Sequence, residues 1–294
     1  MVKSTNNRAW VFVIPALLLL GFVAVFPIMM VVNYSFHDIF VPPAKVWVGL
    51  EWYIEILGSI RFWESFGRSL LFSAIILTLE ISLGIAIALS MPKKGVLVAV
   101  CLVSMSVPLL VPWNMIPIIW HVYLDIIGKV LATIGVGFDW KLNAIHTWIA
   151  IVLMDFWHWT SLVVLLCYSS LTTIPDAFYC TAAIDGASRW DLFRYIELPK
   201  MKGVLMMAIL LRFIDSFMVF VEPFSLNSGG PRRTTTFLAQ ALGGDVVSFN
   251  YGPAAARSVI FFIIILIVSW TFKTAMDVRE SDNKYNKMTT DANS

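Results

Sequence analysis

Asp155, Trp157, His158 and Trp159 lie together in the run Met154-Asp-Phe-Trp-His-Trp159, well inside a stretch that is otherwise apolar. An ionisable group in such a stretch is costly and is a functional candidate by default. The chemistry on offer is recognition of a polyhydroxy compound: indole faces pack on C–H-rich surfaces while polar neighbours bond hydroxyls. Two other readings stand beside it, a structural polar contact and an interfacial aromatic belt. Arg212 and Asp215 are three apart, a spacing that lets them pair on one helix face, either as a structural ion pair or in contact with substrate. Asn114 is a further candidate for the pathway. Glu80 is expected to be paired within the bundle, Glu222 to be hydrated near an outer end, and Arg257 to snorkel towards an interface.

Other chemistries lack their residues. The Gly229-Gly230-Pro231 turn has no Gly-Lys-Ser or Gly-Lys-Thr ending, which a nucleotide-binding loop needs, and that ending occurs nowhere in the chain. This chain is therefore not expected to hydrolyse ATP, and no catalytic residue is expected here. His37, His121, His146 and His158 are scattered without metal-ligand spacing, so no metal site is expected. Cys101, Cys167 and Cys180 are odd in number, sit in or beside apolar blocks and read as small buried side chains.

These residues must be positioned by helices in a bilayer. Of 294 residues, 59% are hydrophobic and 14% charged, against about half and about a quarter in a soluble domain. Net charge is +2, with no nucleic-acid signature. The apolar residues fall into six blocks near the length that crosses about 30 Å of hydrocarbon as a helix. They run from about Trp10 to Val32, Ser69 to Met91, Val96 to Tyr123, Ile145 to Tyr168, Val204 to Phe224, and Ala254 to Met276. The fold class is thus all-α, a polytopic membrane protein with six transmembrane helices. Residues 1–9 form a cytoplasmic N-terminus, 10–276 the membrane domain and 277–294 a polar, disordered cytoplasmic tail. The first block follows Lys3 and Arg8 and is too long for a signal peptide. Pro108, Pro112 and Pro117 crowd the third, and each removes a backbone donor. That block is expected to be a kinked, interior-facing span beside a pathway, or a span ending near Val107 with a re-entrant stretch after it.

Basic residues collect in cytoplasmic loops. With the N-terminus inside, the inner segments carry Lys3, Arg8, Lys93, Lys94, Arg189, Arg194, Lys200, Lys202, Lys273, Arg279, Lys284 and Lys287. The outer segments carry only Lys45, Arg61, Arg68, Lys129, Lys141, Arg232 and Arg233. Both termini are expected in the cytoplasm.

The inner segment between the fourth and fifth blocks, about residues 170–203, is more than a connector. Pro175 can start a helix, Asp185-Gly186 is a break signal, and Ser188 with Asp191 forms a capping-box pattern for a second short helix. Ala183, Ala187, Trp190 and Phe193 are expected on one face, and Pro199 is expected to stop the segment before the next span. Two short helices around a Gly turn, with an apolar face, can lie on a membrane surface or dock in a partner's groove.

This segment resembles the EAA loop of ABC importer permeases. The match rests on Ile174-Pro175, Ala182, Asp185-Gly186-Ala187, Ser188, Trp190, Phe193, Ile196 and Leu198-Pro199. Cys180 and Thr181 depart from it, standing where the family usually has Glu and Ala. Leu226-Asn-Ser-Gly-Gly-Pro231 with Thr234 to Thr236, and Asn250-Tyr-Gly-Pro-Ala-Ala-Ala256, are similar to runs in the carbohydrate-importer permeases. The most similar type is the maltose and glycerol-phosphate one, on the side of the larger maltose permease chain but without its long outer domain.

The resemblance implies the type I ABC importer permease architecture and a multi-pass subunit of a bacterial inner membrane. Its partners would be a second, homologous permease subunit, two ATPase subunits that bind ATP and Mg, an extracytoplasmic substrate-binding protein, and membrane lipids. Ala182, Asp185, Gly186, Ala187, Trp190 and Phe193 would couple it to the ATPase. The cargo would be a sugar or polyol, with glycerol phosphate or a polyamine as alternatives. A membrane sensor or assembly protein is the reading from another class, and it has no need of a Gly-centred loop at this place.

Overall fold

A computed structural model describes the backbone of residues 9–41 and 44–292. Of the expected cytoplasmic N-terminus, residues 1–8 lie outside the described residues. Two compact units result, one of Met1–Phe62 with Leu242–Ile267 and one of Trp63–Ala241 with Val268–Ser294. Among the described residues, six helical stretches are long and apolar enough to cross a membrane: Val13–Tyr34, Ile60–Ser90, Trp113–Thr133, Ala144–Thr172, Arg189–Asn227 and Tyr251–Thr274.

In the first unit, helix α1 (Ala9–Tyr34) leads into strands β1 (His37–Val41) and β2 (Ala44–Trp47), paired antiparallel with His37 opposite Trp47. This hairpin is an addition to the expected all-helical architecture. A short helix, α2 (Glu51–Gly58), follows. Its Trp52 Nε1 donates to the His37 carbonyl at 3.1 Å, and its Tyr53 hydroxyl donates to Ser35 Oγ at 2.7 Å. Gly252 lies against these groups: a Cβ there would collide with the His37 carbonyl and the Trp52 indole.

The second unit is organised on helix α6 (Ala144–Thr172), which packs against α4 (Val96–Leu110) and α9 (Leu198–Phe217). Its first half, with Ala150, Ile151 and Met154, joins a core with Phe72 and Ile76 of α3 (Ile60–Ser90) and with Phe237. Its second half, with Val163, Val164 and Cys167, joins another with Ala88 and Met91. Burying such side chains in well-packed contact is what associates helices where lipid is as apolar as leucine. Close approach is visible at Gly84, where a Cβ would sit 2.5 Å from Val163 Cγ1.

The proline-rich third block is two helices. The chain leaves α4 at Val111 and Pro112, both extended, makes a 3-10 turn at Trp113–Met115, and restarts as α5 (Ile116–Thr133). Pro108 is carried inside α4 and Pro117 in the first turn of α5, where a missing donor costs nothing. The block therefore extends past Tyr123 to Thr133, and the break comes beyond Val107. The fifth block also breaks: α9 ends at Phe217 and α10 (Val221–Asn227) follows. Beyond it, a 3-10 turn at Pro231–Arg233 and α11 (Leu238–Val247) complete the stretch. Helix α12 (Tyr251–Ala292) runs through the region expected to be disordered from Asp277. After Pro253 the sequence has neither Gly nor Pro to end it.

Candidate functional site

Arg212 of α9 has no exposed surface. Its Nε donates to Glu80 Oε2 at 2.7 Å, and Nη2 donates to Glu80 Oε1 at 2.9 Å and to Asp155 Oδ2 at 2.6 Å. Nη1 donates to Asp215 Oδ2. The fork geometry of guanidinium suits this multiple recognition, and the cluster joins α3, α6 and α9. Trp159 covers it, with the Arg212 guanidinium carbon 4.7 Å from the indole centroid. The three-residue spacing of Arg212 and Asp215 thus makes the pair it predicts, and Glu80 is paired as expected. Sequence spacing could not show that Asp155 belongs to the same cluster.

Beside this cluster lies a cavity of about 70 Å³ lined by Trp113, Asp155, Trp159, Asp215, Glu222 and the Met218–Val221 segment. The breaks in two helices make it. The 3-10 turn after Pro112 brings in Trp113, which meets Trp159 edge-on at 6.0 Å. The break after Phe217 brings in Glu222. Glu222 is buried, not hydrated, because α10 packs against α5 and α6. Three carboxylates and two indoles can accept hydrogen bonds from hydroxyl or ammonium groups and pack on a C–H face.

Not every candidate reaches this cavity. Asn114 is exposed on the 3-10 turn. Trp157 packs against Trp120 at 6.2 Å. His158 is buried with its ring 4.8 Å from Trp159, and its Nδ1 has no partner among the described residues. Trp157 and His158 point elsewhere because successive residues on an α-helix turn about 100° from one another, and Asn114 is the residue after Trp113 on a 3-10 turn, about a third of a turn away. Trp113, Glu222 and the Met218–Val221 segment line the cavity without having been sequence candidates for it; the Pro112-Trp113-Asn114 order was the available signal for the first. Arg257 is held by an ion pair, its Nε donating to Asp245 Oδ2 at 2.7 Å.

The loop between α6 and α9 folds as helix α7 (Asp176–Ile184), a turn, helix α8 (Arg189–Leu192) and a π-helical turn at Phe193–Glu197 that runs into α9. Gly186 has φ of +68°, a conformation that costs other residues about 1–2 kcal/mol. Ser188 and Asp191 form the capping box reciprocally. Pro199 does not stop the segment, since it sits in the first turn of α9. Ala183 does not share a face with Trp190 and Phe193, because the Gly186 turn separates the two helices. Ala182 is buried, Trp190 is exposed with its ring 5.6 Å from that of Phe193 and tilted to it, and Phe193 is half-buried. An open groove of about 440 Å³ is lined here by Phe178, Ala182, Asp185, Ala187, Leu192 and Ile196. Of the cysteines, Cys167 is buried, Cys101 is half-buried, and Cys180, on α7, is exposed rather than buried.

The Gly229–Thr236 loop is anchored to the second unit. Thr235 N donates to the Gly229 carbonyl at 2.9 Å. Trp148 Nε1 and Arg68 Nη1 donate to the Thr234 and Thr236 carbonyls at 3.1 and 3.3 Å.

Residues 80–274 match the family described as the binding-protein-dependent transport system inner membrane component. The trehalose/maltose transport system permease protein of Thermococcus litoralis is 31% identical over 263 residues, covering 87% of this chain and 89% of that protein. The sulfoquinovosyl glycerol transport system permease protein of Agrobacterium fabrum is 28% identical, covering 87% and 85%. Among solved structures, a bacterial ABC transporter that imports the acidic polysaccharide alginate has a similar fold, with a TM-score of 0.75 at 17% identity over 91% of this chain and 95% of that one. The matched region holds both the buried arginine cluster and the two-helix inner loop, and the chain belongs to the family of binding-protein-dependent transport system inner membrane components.

Proposed function

We propose that this chain forms half of the translocation pathway of an ATP-driven importer for a neutral polyhydroxy compound, a sugar or polyol. The observation that carries the reading is the cavity in which Trp113 and Trp159 stand beside the carboxylates of Asp155, Asp215 and Glu222. Indole faces suit the C–H face of a sugar ring, and carboxylate oxygens accept from neighbouring hydroxyls. The trehalose/maltose and sulfoquinovosyl glycerol relatives agree with a carbohydrate cargo. Glycerol phosphate is disfavoured because Arg212 and Arg257 already hold carboxylates. An organic cation such as a polyamine is the second reading, favoured by the same three carboxylates.

The chain docks a separate ATPase through Asp185 to Trp190 and pairs with a homologous permease subunit. Closure of two ATPase subunits on ATP pushes this element and shifts the pair from inward-facing to outward-facing. An extracytoplasmic binding protein then delivers the cargo. Both termini lie in the cytoplasm. The test is ATPase activity of the co-purified complex in lipid, with the binding protein, across sugars, polyols and a polyamine. Stimulation by one neutral polyhydroxy compound is the expected result. Stimulation by the polyamine alone would overturn the neutral cargo, and failure of any ATPase to co-purify would overturn the coupling role.

A further inference from the structure

Where the ends of α3 and α6 meet α7 lies another cavity, of about 340 Å³, that shares no lining residue with the one beside Arg212. Ligand sites generally start near this size. Its floor is apolar, with Ala88, Leu89, Met91, Leu171 and Ile174. Polar groups line the remainder: Lys93 and Lys94 from the turn after α3, Asp176 and Tyr179 from α7, and Glu197 from the π-helical turn.

Glu197 is the informative residue. It is 1% exposed. Its Oε1 accepts from Arg189 Nη1 at 2.9 Å and from the Tyr179 hydroxyl at 3.4 Å. Its Oε2 is buried and has no partner among the described residues. A buried carboxylate oxygen without a donor is costly, so this wall of the cavity calls for a cationic or strongly donating group. The opposite requirement comes from the two lysines. Lys93 Nζ stands 3.4 Å above the Tyr179 ring, and Lys94 Nζ is 3.4 Å from Asp176 Oδ2 in an exposed pair. Both keep donor hydrogens for an anion. The lining carries two lysines and two carboxylates, one of them already paired through Glu197 Oε1 with Arg189, so an anionic group has cations to meet and Glu197 Oε2 is left for a donor. Beyond Lys94, Val96 and Leu97 are exposed, an apolar surface for hydrocarbon chains at the start of α4.

We propose that this cavity binds a phosphoethanolamine group, its ammonium on Glu197 Oε2 and its phosphate on Lys93 and Lys94. Basic pockets between spans are known receivers of phospholipid headgroups; the buried carboxylate selects the amine-bearing one. The group can arrive as the headgroup of an aminophospholipid or as a free phosphate ester. Because Lys93, Lys94 and Tyr179 link the α3–α4 turn to α7, occupancy braces the loop that carries Gly186. The inference needs only the membrane-spanning fold, not the identity of the cargo.

The experiment is native mass spectrometry of the complete transporter complex, purified from bilayers holding equal phosphatidylethanolamine, phosphatidylcholine and phosphatidylglycerol. Retention of phosphatidylethanolamine over the other two by about tenfold is expected. Lys93→Met with Lys94→Met, at exposed positions that leave folding intact, should abolish the preference, and so should Glu197→Gln if that variant assembles. A second arm titrates free phosphoethanolamine against delipidated complex. Lipid retention without binding of the free ester assigns the source to the membrane, whereas saturable binding of the free ester, lost in the lysine double variant, assigns it to a soluble ligand. Equal retention of the three lipids together with no binding of the free ester overturns the proposal, as does a preference unchanged in the lysine double variant. Since the readout is lipid mass, substrate-stimulated ATPase stays an independent check on the cargo.

Discussion

Arg212 holds Glu80, Asp155 and Asp215 from a position without solvent, so its removal leaves acids facing one another in a dry interior. Breaking a buried pair by deleting one partner costs about 3–5 kcal/mol. Arg212→Met is therefore expected to lower the unfolding temperature of the purified complex steeply, and adding Glu80→Gln and Asp155→Asn is expected to recover much of the loss. An unchanged melting curve for the single variant would mean the cluster is hydrated. Asp215 differs, since its side chain keeps 28% exposure and lines the cavity. Asp215→Asn is expected to weaken uptake while shifting stability by about 1 kcal/mol or less, the usual scale of a partly exposed pair. Of these residues the sequence made the Arg212–Asp215 pair legible through helical spacing. It could not show that Glu80 and Asp155, 132 and 57 positions away, share the same guanidinium.

At the scale of elements, the Gly186 turn and the α6 contact are the two places where backbone geometry sets the outcome. No described atom lies within 4 Å of a Cβ built on Gly186, so Gly186→Val strains only the turn, by about 1–2 kcal/mol. The complex is expected to assemble, and transport is expected to uncouple from hydrolysis; undiminished uptake in vesicles would count against docking through this turn. Gly84 is the opposite case, since its neighbour is a side chain. Gly84→Val is expected to destabilise by about 1–3 kcal/mol, as overpacking does, with Val163→Ala restoring much of the unfolding temperature. The broken third block was legible from its three prolines, yet only Pro112 stands at the break. Pro117 is tolerated because it falls in the first turn of α5, where no donor is needed, and Pro108 is carried inside α4 without ending it. The break after Phe217 had one local signal, Pro223 in the first turn of α10, whose ring would meet the Val219 carbonyl in a continuous helix.

For the whole molecule, the surplus of basic residues on one side predicts the orientation in the membrane. Cys180 is exposed on α7 whereas Cys167 is buried. A membrane-impermeant maleimide should therefore label a Cys101→Ala variant at Cys180 in inverted vesicles and not in intact cells; labelling from outside would reverse the orientation. The sequence by itself determined that this is a membrane protein with six spans, because burial in hydrocarbon needs long apolar runs and helical hydrogen bonding whatever the tertiary arrangement. It also determined the Gly186 turn and the Ser188 cap, which are properties of a few consecutive residues. Tertiary structure alone decided which acids surround Arg212, that Trp113 and Glu222 meet Trp159 at one cavity, and that Glu197 is left with an unpartnered oxygen. Those facts depend on which helix faces meet, and periodicity within one helix carries no information about the face of another that will lie against it.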